Sequence, residues 1–172
     1  MDDDVQRRLD DLAERIARLE GGGQARPAAP ALDPEVFWAL NGLRERVTDP
    51  AGAVLFTGAV RLPTGEHYEW QQGASTGGLL GLDWASAAEV FGALGHPVRL
   101  RLLRAVLGGT GTTAALQELD DVGTTGQLYH HLKPLVAAGW LQNAGRGRYR
   151  VPGDRVVPLL AVLAAALPPS AD

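Results

Sequence analysis

Apolar positions recur along this chain with several different periods, and each period predicts a different element. Near the start, Val5, Leu9, Leu12, Ile16 and Leu19 are spaced 4, 3, 4 and 3 apart, the heptad spacing of a coiled coil. Arg15 falls at a g position and Glu20 at the following e position, an attractive pair across a parallel two-stranded coil. Asp2, Asp3 and Asp4 stand at the helix start, where the helix dipole favours negative charge. Fewer than three heptads is marginal, because helices shorter than ~12–15 residues barely form alone. Residues 1–20 are therefore expected to assist a dimer that other contacts hold, or else to pack as an amphipathic helix on their own domain. Residues 21–32 lose all periodicity and are rich in Gly, Ala and Pro, the composition of a flexible linker. Asp33-Pro34-Glu35 then opens a helix whose buried side would be Val36, Phe37, Leu40, Leu43 and Val47, with Asp49-Pro50 ending it.

From Ala53 the pattern changes to β-branched and aromatic runs. Residues 53–62 and 67–72, joined by Pro63-Thr-Gly-Glu66, read as a β-hairpin. Residues 74–78 read as a loop, and Ser86 with Glu89 as a capping box for a helix over 87–94. Pro97 marks the first position of the next helix, Gly108-Gly109 breaks it, and a second helix is expected over 113–119. After the turn 120–123, Thr124 and Thr125 are N-cap residues for a helix in which Leu128, Leu132 and Leu135 form one apolar stripe. Its opposite face carries Thr125, Gln127, Tyr129, His130 and Lys133, side chains able to reach base edges or phosphates. Gly139 supplies the stop, and a short hairpin follows, with Arg146, Arg148 and Arg150 at or near its tip. The last helix, 156–167, is almost wholly apolar and cannot lie bare on a monomer. Leu159, Leu160 and Leu163 would serve a dimer surface, a core packed against the helix of residues 34–47, or both.

These elements predict a mainly α chain with small β-hairpins, an α+β fold. Helix, helix, tight turn, helix, hairpin is the order of a winged helix-turn-helix. The expected division is a coiled-coil helix (1–20), a linker (21–32), an accessory helix and hairpin (33–82), the winged helix-turn-helix (83–152) and an apolar C-terminal helix (153–172). Over 93–151, roughly a third of the chain, the sequence resembles the ArsR family of bacterial repressors. Three motifs carry the resemblance in order: ALGHPVRLRLL from Ala93, HHLKPL from His130, and AAGWL followed by a wing. The resemblance implies a homodimeric repressor that reads an inverted repeat in double-stranded DNA. Thr124, Thr125, Gln127, Tyr129, His130 and Lys133 would enter the major groove, and the three wing arginines would position the backbone. Tyr129 stands where the family more often has serine and His130 where it often has arginine, so base preference does not carry over. The plain family pattern also lacks the 53–72 hairpin.

Charge and composition sharpen this picture. The net charge of −4 by itself argues against nucleic acid. Its distribution does not: residues 1–94 hold eight basic and fifteen acidic side chains, whereas residues 95–155 hold eight basic and four acidic. A winged helix used only for protein interaction, without sequence-specific DNA binding, is the alternative that the overall acidity and the single lysine permit. With no cysteine, disulfides, thiolate metal sites and a cysteine nucleophile are excluded together. In metal-sensing ArsR relatives the cysteine-bearing helix corresponds to residues 116–122, which lack thiols, and the C-terminal helix 156–167 holds no His, Asp or Glu. His130 and His131 point about 100° apart on a helix and do not readily share one ion. The resemblance gives His131 a packing role, and no metal or other cofactor is expected. Gly108-Gly-Thr-Gly-Thr-Thr113 lacks the Lys and hydroxyl of a phosphate-binding loop, and no catalytic constellation is present. The sequence holds no apolar run long enough to span a bilayer and no basic-then-apolar stretch with a cleavage site, so a cytoplasmic protein without membrane association is expected. Input from a small-molecule or protein effector would then fall to residues 33–94, where Trp38, Phe56, Tyr68, Trp70 and Trp84 either line a sensing surface or simply build the core.

Overall fold

The computed structural model describes Leu12, Arg15 and residues 33–167. The heptad residues Val5, Leu9, Ile16 and Leu19 and the linker 21–32 lie outside the described residues, while Leu12 and Arg15 are helical and exposed. The chain divides into two compact units, residues 1–46 and 47–172. In the first, Asp33 Oδ1 accepts from the Glu35 amide at 2.9 Å, residues 34–36 form a turn, and helix α1 spans Trp38–Arg46. No residue of α1 is buried, and Val36, Phe37 and Leu40 are exposed. The expected buried side thus has the right spacing but no opposing layer within the described part of its own unit.

The second unit begins with strands β1 (Ala53–Arg61) and β2 (His67–Ser75), paired antiparallel from Ala53↔Ser75 to Arg61↔His67. The second strand runs three residues further than its sequence pattern indicates, so that of the stretch read as a loop, 74–78, the first two residues end β2 and the other three open the next helix. Ser75 stops the strand and caps helix α2 (Thr76–Leu80), its hydroxyl accepting from the Gly78 amide at 3.0 Å. That cap offsets the poor helix propensity of Gly77 and Gly78. Helix α3 (Trp84–Leu94) also starts earlier than expected. Asp83 is its N-cap, accepting from the Ala85 amide, and Ser86 donates back to the Asp83 carbonyl from within the first turn instead of capping.

Helices α4 (Pro97–Leu107), α5 (Thr113–Gln117) and α6 (Thr125–Ala137) follow, then the short strands β3 (Gln142–Asn143) and β4 (Tyr149–Arg150) and helix α7 (Gly153–Ala166). His96 caps α4, with Pro97 at its first position as expected. Leu102 of α4, Leu116 of α5, Leu128, Leu132 and Leu135 of α6, Leu141 before β3, and Val156 and Leu159 of α7 close one core, each almost fully buried. This is a winged helix-turn-helix of the α+β class. Helix α7 also packs on both strands of the first hairpin. It turns Val157 toward Gly58, where a Cβ would lie only 2.6 Å from Val157 Cγ1, and holds Gly153 under the Tyr68 ring. The hairpin, α7 and the helices from α3 onward therefore share one unit, and the boundaries expected at 82/83 and 152/153 fall inside it. Among the described residues no helix is long and apolar enough to cross a membrane.

Candidate nucleic-acid interface

Helix α6 is defined at both ends by local chemistry. Thr124 is the N-cap: its hydroxyl accepts from the Gln127 amide at 3.3 Å, and the Gln127 side-chain oxygen accepts from the Thr124 amide at 2.7 Å. This reciprocal capping box satisfies two of the amides that a helix start leaves without partners. At the other end the Trp140 amide donates to the Leu135 carbonyl and the Gly139 amide to that of Val136, with Gly139 at φ 72°, a Schellman closure. Between these ends Leu128, Leu132 and Leu135 are buried, while Thr125, Gln127, Tyr129, His130 and Lys133 are all exposed. The expected polar face is present as one surface. One detail was not legible from spacing: Gln127 is already engaged through its oxygen. What it offers outward is its amide nitrogen, half of the bidentate pairing with adenine.

The turn into α6 is held by residues far away in sequence. Arg101 Nη1 of α4 donates to the Asp120 carbonyl at 2.5 Å and to Asp121 Oδ2 at 2.9 Å, and Asp121 occupies the left-handed region at φ 62°. Gln117 Nε2 donates to the Gly123 carbonyl at 2.5 Å. Val122, between these anchors, is buried. Helix periodicity reports same-face neighbours only, so neither tether was anticipated.

In the wing, Gln142 pairs with Arg150 and Asn143 with Tyr149. The tip runs through Gly145, Arg146 and Gly147, all at positive φ, and the Asn143 side chain accepts from the Gly145 amide at 2.8 Å. Arg146 and Arg148 are exposed. In the amide orientation that satisfies both groups, the Gln142 oxygen accepts from Nε and Nη2 of Arg150, so this third arginine is held across the strands. The wing is fixed to α5 and to the loop before it. Thr113 donates to the Gly147 carbonyl through both its amide and its hydroxyl at 2.8 Å, and the Tyr149 amide donates to Gly111 O at 2.7 Å. Between α6 and the wing lies an apolar groove lined by Tyr129, Leu132, Val136 and Tyr149, with Lys133 and Asn143 on its edge.

His131 packs its ring 4.6 Å from that of His96 and 5.6 Å from that of His130, centroid to centroid. Burial, and then the neighbouring His96, His130 and Arg99, hold its pKa below the ordinary histidine value. Among the described residues no group of three His, Cys, Asp or Glu side chains is arranged to hold a metal ion.

Four of the five aromatics proposed for sensing lie in the second unit and Trp38 in the first. Phe56, Tyr68 and Trp70 share the hairpin face that carries Gly58 and Val60, the face turned to α7, and all three are half-buried. Trp84 is 66% exposed and donates its indole N–H to the Leu79 carbonyl at 2.9 Å, and Trp38, in the first unit, is 65% exposed. Of the C-terminal residues assigned to dimerisation, Leu159 lies inside the core shared with α4, α5 and α6; Leu160 and Leu163 remain partly exposed.

No curated protein and no solved structure matches this chain. Residues 94–139, from the last residue of α3 through α4, α5, α6 and the glycine that closes it, match the family model described as a helix-turn-helix domain, which points to a DNA-binding regulator.

Proposed function

We propose that this chain is an ArsR-like, homodimeric transcriptional repressor that reads an inverted repeat in double-stranded DNA. Helix α6 enters the major groove with Thr125, Tyr129, His130 and Lys133 toward the bases and phosphates, and Thr124 and Gln127 hold its first turn. Arg146 and Arg148 reach the phosphate backbone from the wing, and Arg150 stiffens the strand behind them. The observation that carries this reading is the junction of an exposed polar face on α6 with a cationic wing tip, both fixed to the same core. Dimer symmetry would set the two α6 helices in successive major grooves, about one helical turn apart.

A homodimer is favoured by the apolar surface around α2 and α3. Leu80, Leu82, Trp84 and Phe91 are each more than half exposed there, a density of large side chains that a monomer does not leave in water. Heptad residues Val5, Leu9, Leu12, Ile16 and Leu19 would add a second contact between copies. The domain roles follow: residues 1–20 assist pairing, residues 83–152 contact DNA, and the hairpin of 33–82 braces α7.

A second reading has its own support. The groove between α6 and the wing is walled by Tyr129, Leu132, Val136 and Tyr149 and would suit an apolar side chain of a protein partner. Capture of genomic fragments by the purified full-length chain, followed by sequencing, separates the two. Enrichment of fragments sharing an inverted repeat supports the repressor. Retention of DNA without any shared sequence, or none at all, favours the protein-interaction module.

A further inference from the structure

A groove of about 610 Å³ opens between the end of the first hairpin, α4 and α7. Its wall is built from Leu62, Leu100, Leu107, Leu160 and Leu163, and two cations, Arg101 and Arg104, stand on it. No acidic side chain lines it. That volume lies in the usual range of small-molecule sites, roughly 300–1,000 Å³, which are mainly apolar with a few placed polar groups. Arg104 is exposed and makes no ion pair among the described residues. Arg101 is the side chain that clamps Asp120 and Asp121, in the turn that leads into α6. The groove and the recognition-helix turn therefore share one side chain, Arg101, whose guanidinium rests on the turn.

We propose that this groove is an effector site for an amphipathic organic anion, a carboxylate on a medium-length hydrocarbon body, whose head group competes with Asp121 for Arg101. The leucine wall takes the hydrocarbon, and charge complementarity selects the head: two cations and no carboxylate make an amine or a zwitterion a poorer occupant. Drawing Arg101 into the groove removes the tether on Asp121, a non-glycine residue held at positive φ, and frees the turn before α6. A ligand shifts an equilibrium only through different affinity for its two states, and here the difference lies in which anion Arg101 binds. The effect on DNA rests on the function proposed above; the site itself does not. The occupant is a small molecule rather than a second copy, because the groove carries two cations and no carboxylate, whereas the exposed side chains of α2 and α3, none of which lines it, already offer copies an apolar contact.

The test uses the full-length chain with sodium decanoate below its micelle concentration as probe, and decanol and decyltrimethylammonium as neutral and cationic controls. Calorimetry is expected to show saturable decanoate binding, weaker binding of both controls, and about fivefold weaker binding in Arg104→Gln, the worth of one exposed charge pair of about 1 kcal/mol. Leu163→Trp, which fills the groove, is expected to abolish it; should that variant fold poorly, the exposed Arg104→Gln still carries the test. On the captured DNA, saturating decanoate is expected to lower affinity by about fivefold or more, and Arg104→Gln is expected to need about fivefold more decanoate for the same response. Absence of saturable binding, or equal binding by Arg104→Gln, overturns the proposal. So does a change from dimer to monomer in sedimentation on adding decanoate or in Leu163→Trp, which makes the groove a contact between copies. Charge-dependent decanoate binding by a protein that retains no DNA upholds the site and removes the repressor; sequence-specific DNA binding that ignores bound decanoate upholds the repressor and overturns the effector role.

Discussion

Adding one methyl group at Gly58 measures how firmly the first hairpin is held to α7. The new Cβ would stand 2.6 Å from Val157 Cγ1, where relaxed carbon contacts are ~3.5–4.0 Å, so the strand or the helix must retreat by about 1 Å. Val157 is only 2% exposed and has no empty side to move into. Overpacking of this kind costs ~1–3 kcal/mol. Against it stands the ~0.5–1 kcal/mol that alanine recovers over glycine inside a strand. Gly58→Ala should therefore destabilise the second unit by roughly 0.5–2 kcal/mol. Val157→Ala alone removes two buried methyl groups and should cost roughly 1.5–3 kcal/mol. In the double variant the alanine at 157 vacates the space that the methyl at 58 needs, so the pair should be no less stable than Val157→Ala by itself. That is a favourable coupling at least as large as the Gly58→Ala cost itself, about 0.5–2 kcal/mol, against a scatter of about 0.3–0.5 kcal/mol for independent sites. Urea unfolding of the full chain, comparing midpoints at constant slope, measures each corner of the cycle. Strict additivity, or a Gly58→Ala protein as stable as the parent, would refute the packing of hairpin on α7 described above.

Three further outcomes are expected. Thr124→Ala and Gln127→Ala each open the capping box and should each cost ~1 kcal/mol, whereas Gln127→Glu keeps the box and should be near neutral in stability while weakening DNA binding by charge; urea melts and anisotropy separate the two readouts. Because the folded-state pKa of His131 is depressed, the native protein binds fewer protons than the unfolded chain just below the ordinary histidine pKa of ~6.5. Stability from this group is then complete above that value and is lost as pH falls toward the folded pKa; His131→Asn should flatten this slope, and an NMR titration should show His131 titrating below an exposed histidine. Gly111→Ala places a Cβ 2.5 Å from the Tyr149 carbonyl oxygen and must displace the wing from the loop before α5, so it should weaken DNA binding more than it lowers stability.

The parts legible in the sequence are those that local physics sets. A hydroxyl at 124, leucines at 128, 132 and 135 and a glycine at 139 determine where α6 starts, which side is buried and where it ends, and each does so in the structure. Pro97 marks the start of α4 in the same way. What escaped was set over distance or by competition between neighbouring caps. Asp83 and Ser86 could each cap α3, and the acid three residues earlier did so. Thr76-Gly-Gly looked like a loop because nothing in its composition favours a helix; the Ser75 cap that nucleates α2 exists because β2 ends there. The destination of α7 was half legible. Its apolar character required cover, and the cover comes from two sides: the core of α4 to α6 takes Val156 and Leu159, and the hairpin takes Val157 through a glycine at 58 whose missing side chain admits it. Within the site, the exposed residues of α6 could be named from periodicity, whereas the Arg101 tether on Asp121 spans 20 residues and leaves no periodic trace.

The central claim is that α6 and the wing meet DNA, and salt dependence tests it most directly. Fluorescence anisotropy of a captured duplex across a salt series should give a falling line of log affinity against log salt, with a slope set by the phosphates neutralised. Lys133→Ala and Arg146→Ala should each reduce that slope by about one unit while leaving the preferred sequence unchanged. A slope that neither substitution alters would contradict the account, because the phosphates would then be met by some other face of the molecule.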